Sequence, residues 1–231
     1  MWTISEIKEE GKAAFKANYW CCVLAAFLIS LFAGAGGAST ASNNQNGSMS
    51  SAVEGMSSSE MMTVAVFVIG AVAVALLIGA VIRIFLGNPI NVGCRTFFKE
   101  NVYDAPAPLS LIKTGFQNYG HTFVTLFLRD LYLVLWTLLL IIPGIIKAYS
   151  YRMVPYILAE HPEMPANEII TRSREMMDGN KWQAFLLDLS FIGWILLGVV
   201  TLGLGLVFWT SPYMESTNAA LYLRLKEAQG A

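Results

Sequence analysis

The sequence predicts an all-α fold, a polytopic bundle of about six transmembrane helices with both termini in the cytoplasm. The chain is 55% hydrophobic and only 13% charged, and the charged share is about half that of soluble domains. Several apolar stretches have the length of about 20 residues that a helix needs to cross a bilayer. Lys and Arg are absent from alternate loops, as the positive-inside rule requires. We therefore treat residues 1–231 as one membrane domain.

The N-terminal segment, residues 1–18, is predicted to be an interfacial helix that leads into a first span at residues 19–38. Thr3 and Glu6 have the spacing of a capping box, in which each side chain accepts a hydrogen bond from the other residue's backbone. The segment also carries three lysines, Lys8, Lys12 and Lys16. Their charge places this end of the chain in the cytoplasm.

The same region has some features of a cleavable signal sequence. Its apolar run, residues 23–32, is followed by small residues. The part before that run contains three acidic residues, Glu6, Glu9 and Glu10. We expect the span to be retained, because acidic residues are unusual at that position, and cleavage stays open as an alternative.

The middle of the chain alternates between the two sides of the membrane. Residues 39–62 are rich in Ser and Asn and contain no Lys or Arg, which predicts a flexible external loop. A second span is predicted at residues 63–86. Residues 88–120 return to the cytoplasm, carry an amphipathic helical pattern, and contain the basic residues Arg95, Lys99 and Lys113.

The C-terminal half contains two clear apolar stretches, residues 122–142 and 183–200. The segment between them, residues 160–182, is predicted to be cytoplasmic and amphipathic, and it contains Arg172, Arg174 and Lys181. Two crossings must therefore lie between residue 122 and this segment. Pro143 supplies the break between them, because proline removes a helical hydrogen bond.

The second of those two crossings is residues 145–159, and the same argument adds a last span at residues 204–225. A turn free of Lys and Arg, residues 201–205, separates that last span from the one before it. Both added segments contain polar groups. The alternative is a bundle of four spans in which these two segments lie at the membrane interface as amphipathic helices.

Ionisable side chains inside the predicted spans are the candidate functional residues, because each one is costly in a bilayer unless it finds a partner. The rise of about 1.5 Å per residue puts them roughly 5 to 15 Å from the cytoplasmic boundary. This coincidence predicts one polar layer, to which three uncharged polar residues on the same helix faces also belong. Its charged members are Arg83, Arg129, Asp130, Arg152, Asp188 and Glu215, and the uncharged ones are Tyr149, Tyr156 and Asn218.

Two interpretations of this layer remain open. The charges can pair with one another and fix the packing of the helices. They can also line a vestibule, open to the cytoplasm, for a polar or anionic solute. Charges that are paired in a dry interior favour the first interpretation, and a water-filled cavity lined by Arg129, Arg152 and Glu215 favours the second.

Several classes of function are not indicated. A net charge of −1 with scattered basic residues does not suit a nucleic-acid binder. Three cysteines without a CxxC pair and two histidines predict no metal site. The motifs of serine hydrolases, zinc proteases and nucleotide-binding loops are absent. We expect no enzymatic activity and no cofactor, with membrane lipid as a partner and protein partners undefined.

Four strings in the C-terminal half are long and distinctive, namely LIIPGIIK from Leu140, YSYRMVPYIL from Tyr149, SREMMDGNKW from Ser173 and LDLSFIGW from Leu187. They resemble the bacterial integral-membrane family known as domain of unknown function 975. The segment from Trp2 to Trp20, and the residues Asn88-Pro89 and GCRTFF from Gly93, also look like that family. The resemblance implies a bacterial plasma-membrane location, and it implies no particular activity.

The sequence thus predicts a multipass membrane protein that acts as a non-enzymatic scaffold or handles a polar or amphiphilic solute at its charged layer. The alternative, from a different class, is a membrane-embedded enzyme or immunity-type factor that acts on lipid or envelope precursors.

Overall fold

The computed structural model describes residues 2–33 and 58–230. All regular elements in these residues are helical, so the predicted all-α fold is confirmed. In this part of the chain, three shorter helical elements connect the α-helices: a π-helical segment, Arg83–Gly87, a 3₁₀ helix, Leu109–Phe116, and a second π-helical segment, Leu206–Thr210. The α-helices are α1 (Ile4–Ala17), α2 (Tyr19–Ala33), α3 (Ser58–Ile82), α4 (Asn88–Tyr103), α5 (Tyr119–Leu139), α6 (Ile141–Ser150), α7 (Val154–Glu160), α8 (Ala166–Met176), α9 (Lys181–Leu189), α10 (Ile192–Val200) and α11 (Ser211–Ala228).

Three stretches in the described part of the chain are long and apolar enough to cross a membrane. They are Met62–Gly79 within α3, Tyr119–Leu139, which is α5, and Lys181–Val200, which combines α9 and α10. They match the predicted spans 63–86, 122–142 and 183–200. Helix α2 has 15 residues, fewer than the roughly 20 that a span needs, and it is bent by 107° from α1.

Helix α1 begins with the predicted capping box. The Thr3 hydroxyl accepts from the backbone N–H of Glu6, and the Glu6 carboxylate accepts from the backbone N–H of Thr3 at 3.0 Å. The helix buries one face against α11, where a Cβ added to Gly11 would lie 2.7 Å from the backbone of Thr217. Glycine at this position therefore allows α1 and α11 to pack closely.

The predicted break before the fourth span is present, but it lies slightly earlier than expected. The extended residue is Leu140, with φ −159° and ψ 140°. Pro143 instead falls in the first turn of α6, where a helix tolerates proline because the first N–H groups have no helical partner. Predicted span 145–159 is divided between α6 and α7, with a turn at residues 151–153 and Pro155 in the first turn of α7.

The predicted turn at residues 201–205 is also present. Leu202 has φ 53° and Gly203 has φ 86°, and Leu202 is 94% exposed. The chain then re-enters helical structure through the π-helical segment that precedes α11. The local turn signal in the sequence therefore marks a real reversal between α10 and α11.

The predicted amphipathic segments take two different forms. Residues 109–116 form the 3₁₀ helix, which packs on α4. Within the predicted segment 160–182, the residues after Pro165 form α8, which buries Ile169, Ile170 and Ser173. Met177 caps α8, and Gly179 has φ +74° in the turn before α9.

Helix α3 differs from the others because none of the span Met62–Gly79 is buried. Phe67, for example, is 76% exposed. A helix that is apolar on every side and is not covered by the described residues suits a lipid environment. The predicted external loop before it, residues 39–62, lies outside the described residues up to residue 57.

The core of the bundle lies around α4, which packs on α2, α7 and α11, and α11 also packs on α2. Its largest fully buried side chains include two stacked tyrosines, Tyr156 and Tyr222, with ring centroids 4.9 Å apart. The core also contains Phe15, Phe97, Phe98, Leu126 and Met153. This packing brings polar residues of α4, α6, α9 and α11 close together.

Candidate functional site

The centre of the candidate site is an ion pair between Arg152 and Asp188. The two terminal nitrogens of Arg152 donate to the two carboxylate oxygens of Asp188, at 2.8 and 2.7 Å. The hydroxyl of Tyr149 donates to the same carboxylate at 2.9 Å, and Arg152 also donates to the side-chain oxygen of Asn218. This two-pronged geometry is the strongest form of an arginine–carboxylate contact.

A second ion pair joins Glu215 in α11 to Arg95 in α4. Arg95 also donates to the hydroxyl of Tyr156 at 3.2 Å, and its guanidinium lies 5.4 Å from the centre of that ring. Both charged side chains are largely buried, at 17% and 15% exposed. We call these two pairs and their hydrogen-bonding partners the ion-pair cluster, which consists of Arg95, Tyr149, Arg152, Tyr156, Asp188, Glu215 and Asn218.

The structure does not bring all predicted members of the polar layer together. Arg129 donates to its neighbour Asp130 at 2.6 Å, and neither is bonded to the ion-pair cluster among the described residues. Consecutive residues on a helix point in different directions. Arg129 is 21% exposed, whereas the side chain of Asp130 is 45% exposed at the surface of α5. The side chain of Arg83 lies outside the described residues.

A third group of charges surrounds Glu160 at the end of α7. Its carboxylate accepts from Lys99 at 3.1 Å, from Lys226 at 2.8 Å and from the hydroxyl of Tyr222 at 2.8 Å. We call these four residues the Glu160 cluster. It borders a cleft of about 410 Å³ and meets the ion-pair cluster where Tyr222 stacks on Tyr156.

The surroundings of Glu160 change its pKa. Burial acts to raise the pKa of Glu160, but the hydrogen bonds from Lys226, Tyr222 and Lys99 outweigh burial and lower it from the ordinary value of 4.5. Burial likewise acts to lower the pKa of Lys99, and its bonds to Glu100 and Glu160 raise it. Both directions indicate that the charged forms are stabilised in the folded protein.

This arrangement predicts a loss of stability in acid that depends on Glu160. A carboxylate with a depressed pKa stabilises the fold above its unfolded-state pKa, and the contribution disappears as pH falls through the folded-state pKa. We expect the thermal midpoint of the native protein in detergent to exceed that of Glu160→Gln at pH 7. The difference should shrink below pH 4.5. An unchanged difference at pH 3.5 would show that Glu160 is not the titrating group.

Sequence reasoning missed Arg95, Lys99 and Glu160 as partners within the bundle. In the sequence, Arg95 and Lys99 indicated only that residues 88–120 are cytoplasmic. Their carboxylate partners are 120 and 61 residues away, so no local spacing connects them. Arg95 and Lys99 are four residues apart on α4 and therefore lie on the same helix face. This spacing is the one signal in the sequence that could have suggested a common polar surface.

The arrangement offers limited chemistry of its own. Each carboxylate of the two clusters is paired with at least one cation. In the described part of the chain, no group of three or more His, Cys, Asp or Glu side chains could hold a metal ion. The buried thiols of Cys22 and Cys94 are free and form no disulfide. The site therefore presents alternating positive and negative groups that hold α4, α6, α7, α9 and α11 together.

The described residues thus define an all-helical protein with three stretches able to cross a membrane by their length and composition. The chain belongs to the family described as protein of unknown function (DUF975), whose model matches residues 109–229, more than half of the chain. This confirms the resemblance seen in the four C-terminal strings, and the N-terminal strings lie outside the matched residues. Comparisons with curated proteins and with solved structures found no match.

Proposed function

We propose that this protein is a multipass scaffold of the bacterial plasma membrane, without enzymatic activity, whose helices are fixed by internal ion pairs. In this proposal the chain crosses the membrane six times and both termini are cytoplasmic. The two observed reversals, at Leu140 and at residues 201–205, support six segments rather than four. The basic residues of α1 and of the segment around α8 support a cytoplasmic position for both regions.

The observation that carries the proposal is the pairing of Arg152 and Asp188 with each other and with further partners within the protein. Both carboxylate oxygens of Asp188 are occupied, and Arg152 bonds to two further helices through Asp188 and Asn218. The two side chains thus make their strongest contacts with each other and with neighbouring helices rather than with a solute. Buried pairs of this kind contribute little net stability but can specify which helices meet.

A second candidate function rests on a different observation. The side chain of Asp188 is 32% exposed, and the Glu160 cluster borders a cleft that also contains Glu100 and Glu227. Water and a polar solute could therefore reach charged groups of the bundle from one side. In this candidate function the ion pairs open during the handling of a polar or amphiphilic solute.

Replacing the ion pair as a unit separates the two functions. We expect Arg152→Met combined with Asp188→Leu to fold, because apolar residues of similar size commonly replace buried ion pairs without loss. Each single substitution leaves one unpaired charge and should reduce the folded yield. The functional readout is whether each variant reverses the changes in protein abundance caused by deleting the gene.

A scaffold retains function in the double variant and loses it in the single variants. The matched control is Lys181→Met combined with Asp178→Leu, which removes an exposed pair joined at 3.1 Å. If the double variant at Arg152 and Asp188 folded but restored nothing, while the control restored the native pattern, the scaffold would be excluded. Solute handling would then be the favoured function.

A further inference from the structure

The cleft beside the Glu160 cluster contains charged side chains of both signs. It has a volume of about 410 Å³, and α4 and α11 provide most of its walls. Its two lysines converge on one carboxylate, since Lys99 and Lys226 donate to different oxygens of Glu160, at 3.1 and 2.8 Å. Two further glutamates, Glu100 and Glu227, also line the cleft.

Part of the hydrogen-bonding capacity of this cleft is not used within the described residues. An ammonium group has three donors, and Lys226 uses one of them in the bond given above. One oxygen of Glu100 accepts from Lys99 at 2.9 Å, and one oxygen of Glu227 accepts a long bond of 3.4 Å from Arg224. The other oxygen of each glutamate has no partner in the described part of the chain. The cleft therefore offers both donors and acceptors to a ligand.

The presence of both signs selects the class of ligand. A simple anion is attracted by Lys226 but repelled by Glu100 and Glu227, and a simple cation meets the reverse arrangement. A zwitterion with a primary ammonium and an anionic group a few ångströms apart matches both signs. Its ammonium donates to the glutamates, and its anionic group accepts from the lysine.

The position of the cleft favours a lipid headgroup as the source of such a zwitterion. Glu160 and Lys226 directly follow the predicted spans 145–159 and 204–225, so both lie at the cytoplasmic boundary in the proposed six-span topology. Tyr103, which lines the cleft, is 79% exposed. Tyrosine is enriched where a membrane meets water, so the cleft has the composition of a site at headgroup level.

We propose that this cleft binds phosphoethanolamine, supplied as the headgroup of phosphatidylethanolamine. The ammonium lies at Glu100 and Glu227, and the phosphate lies at Lys226. The proposal gives a ligand class to the cleft of the second candidate function, and its lipid source rests on the proposed topology. It does not require Arg152 and Asp188 to separate, so it holds or fails independently of the scaffold.

Lipid titration of the purified full chain tests this site. Native mass spectrometry in a nonionic detergent would compare phosphatidylethanolamine, phosphatidylcholine and phosphatidylglycerol with the same acyl chains. We expect phosphatidylethanolamine to bind about tenfold more tightly than phosphatidylcholine, because a quaternary ammonium cannot donate a hydrogen bond to Glu100 or Glu227. Phosphatidylglycerol, which has no cation, should also bind more weakly than phosphatidylethanolamine.

Two variants separate the two halves of the ligand. Glu100→Gln removes one carboxylate while Lys99 keeps its bond to Glu160, and it should remove most of the preference for phosphatidylethanolamine over phosphatidylcholine. Lys226→Gln removes the partner of the phosphate, which both lipids share, and should weaken both by about tenfold. A merely structural role for either residue would not produce this difference between the two variants.

The matched controls are Glu175→Gln and Lys113→Gln, which make the same changes of charge at exposed residues outside the cleft. Thermal unfolding in the same detergent shows whether each variant is folded, and Glu100→Gln alone decides if Lys226→Gln is not. Loss of the preference in Glu100→Gln and its retention in Glu175→Gln would support the site. Equal binding of the three lipids by the native protein, or an unchanged preference in Glu100→Gln, would overturn it.

Soluble O-phosphoethanolamine distinguishes the two sources of the zwitterion. A large molar excess of this compound should leave bound phosphatidylethanolamine in place, because the compound lacks the acyl chains that hold the lipid at the membrane surface. Displacement of the lipid by an equal concentration would support the zwitterion site and overturn its assignment to a lipid.

Discussion

Gly93→Ala should lower the free energy of unfolding by about 3 kcal/mol, because a side chain at this position has no space. A Cβ added to Gly93 would lie 1.9 Å from the backbone oxygen of Ile112, and one added to Gly115 would lie 1.9 Å from the backbone oxygen of Pro89. The two glycines thus allow α4 and the 3₁₀ helix to touch backbone to backbone. Main-chain atoms cannot rotate away as a flexible side chain can, so the two elements must separate.

Gly70→Ala is the matched control, since Gly70 is also inside a helix and no atom lies within 4 Å of its added Cβ. Alanine favours a helix interior over glycine by about 1 kcal/mol, so this variant should be neutral or slightly more stable. Thermal and denaturant unfolding in a mild detergent would measure both. Equal stability of Gly93→Ala and Gly70→Ala would show that the contact between α4 and the 3₁₀ helix does not support the fold.

The features predictable from sequence are those encoded by neighbouring residues. Thr3 and Glu6 are three positions apart and form their capping box as expected. The apolar runs of α3 and α5 are long enough to be recognised from composition. Pro143 marks the end of a helix within a few residues, but proline is accepted in the first turn of the next helix, so it locates the break at Leu140 only approximately.

The site was predictable in part. A charged residue in a predicted span indicates that a partner is needed to offset the free-energy cost of burying the charge, but it does not indicate which residue the partner is. Arg152, Asp188, Glu215 and Asn218 were all identified from their positions in the predicted spans. The structure bonds Arg152 to Asp188 and to Asn218, and it pairs Glu215 with Arg95. Arg129 is also a charged residue in a predicted span, but its side chain bonds to Asp130 on the same helix and not to the ion-pair cluster. The direction of each helix face relative to its neighbours depends on packing between distant segments, which hydropathy does not record.

Asn101 illustrates a determinant of the fold that no local pattern reveals. It is fully buried in α4 and donates to the backbone carbonyl of Ala14 at 2.8 Å and to the thiol of Cys22 at 3.5 Å. Its side-chain oxygen accepts from Asn18 at 3.0 Å and from the backbone N–H of Ala107 at 3.1 Å. One amide therefore connects α1, α2, α4 and the segment after α4.

Asn101→Leu should lower the free energy of unfolding by about 4 kcal/mol, although leucine has the same number and branching of side-chain heavy atoms as asparagine. The substitution leaves the buried carbonyl of Ala14 and the buried N–H of Ala107 without their partner, and each such group costs about 1–3 kcal/mol. Because leucine opens no cavity, the measured loss reports the hydrogen bonds rather than missing volume. Denaturant unfolding in detergent provides the measurement.

Asn167→Leu is the control, because Asn167 is exposed and its side chain accepts one long bond, of 3.4 Å from the hydroxyl of Tyr132. It should change stability by no more than about 0.5 kcal/mol. A loss below about 1 kcal/mol for Asn101→Leu would mean that water or backbone movement satisfies the orphaned groups. A large loss confined to Asn101 would instead indicate that one buried amide, rather than apolar burial alone, decides how the N-terminal helices dock on α4.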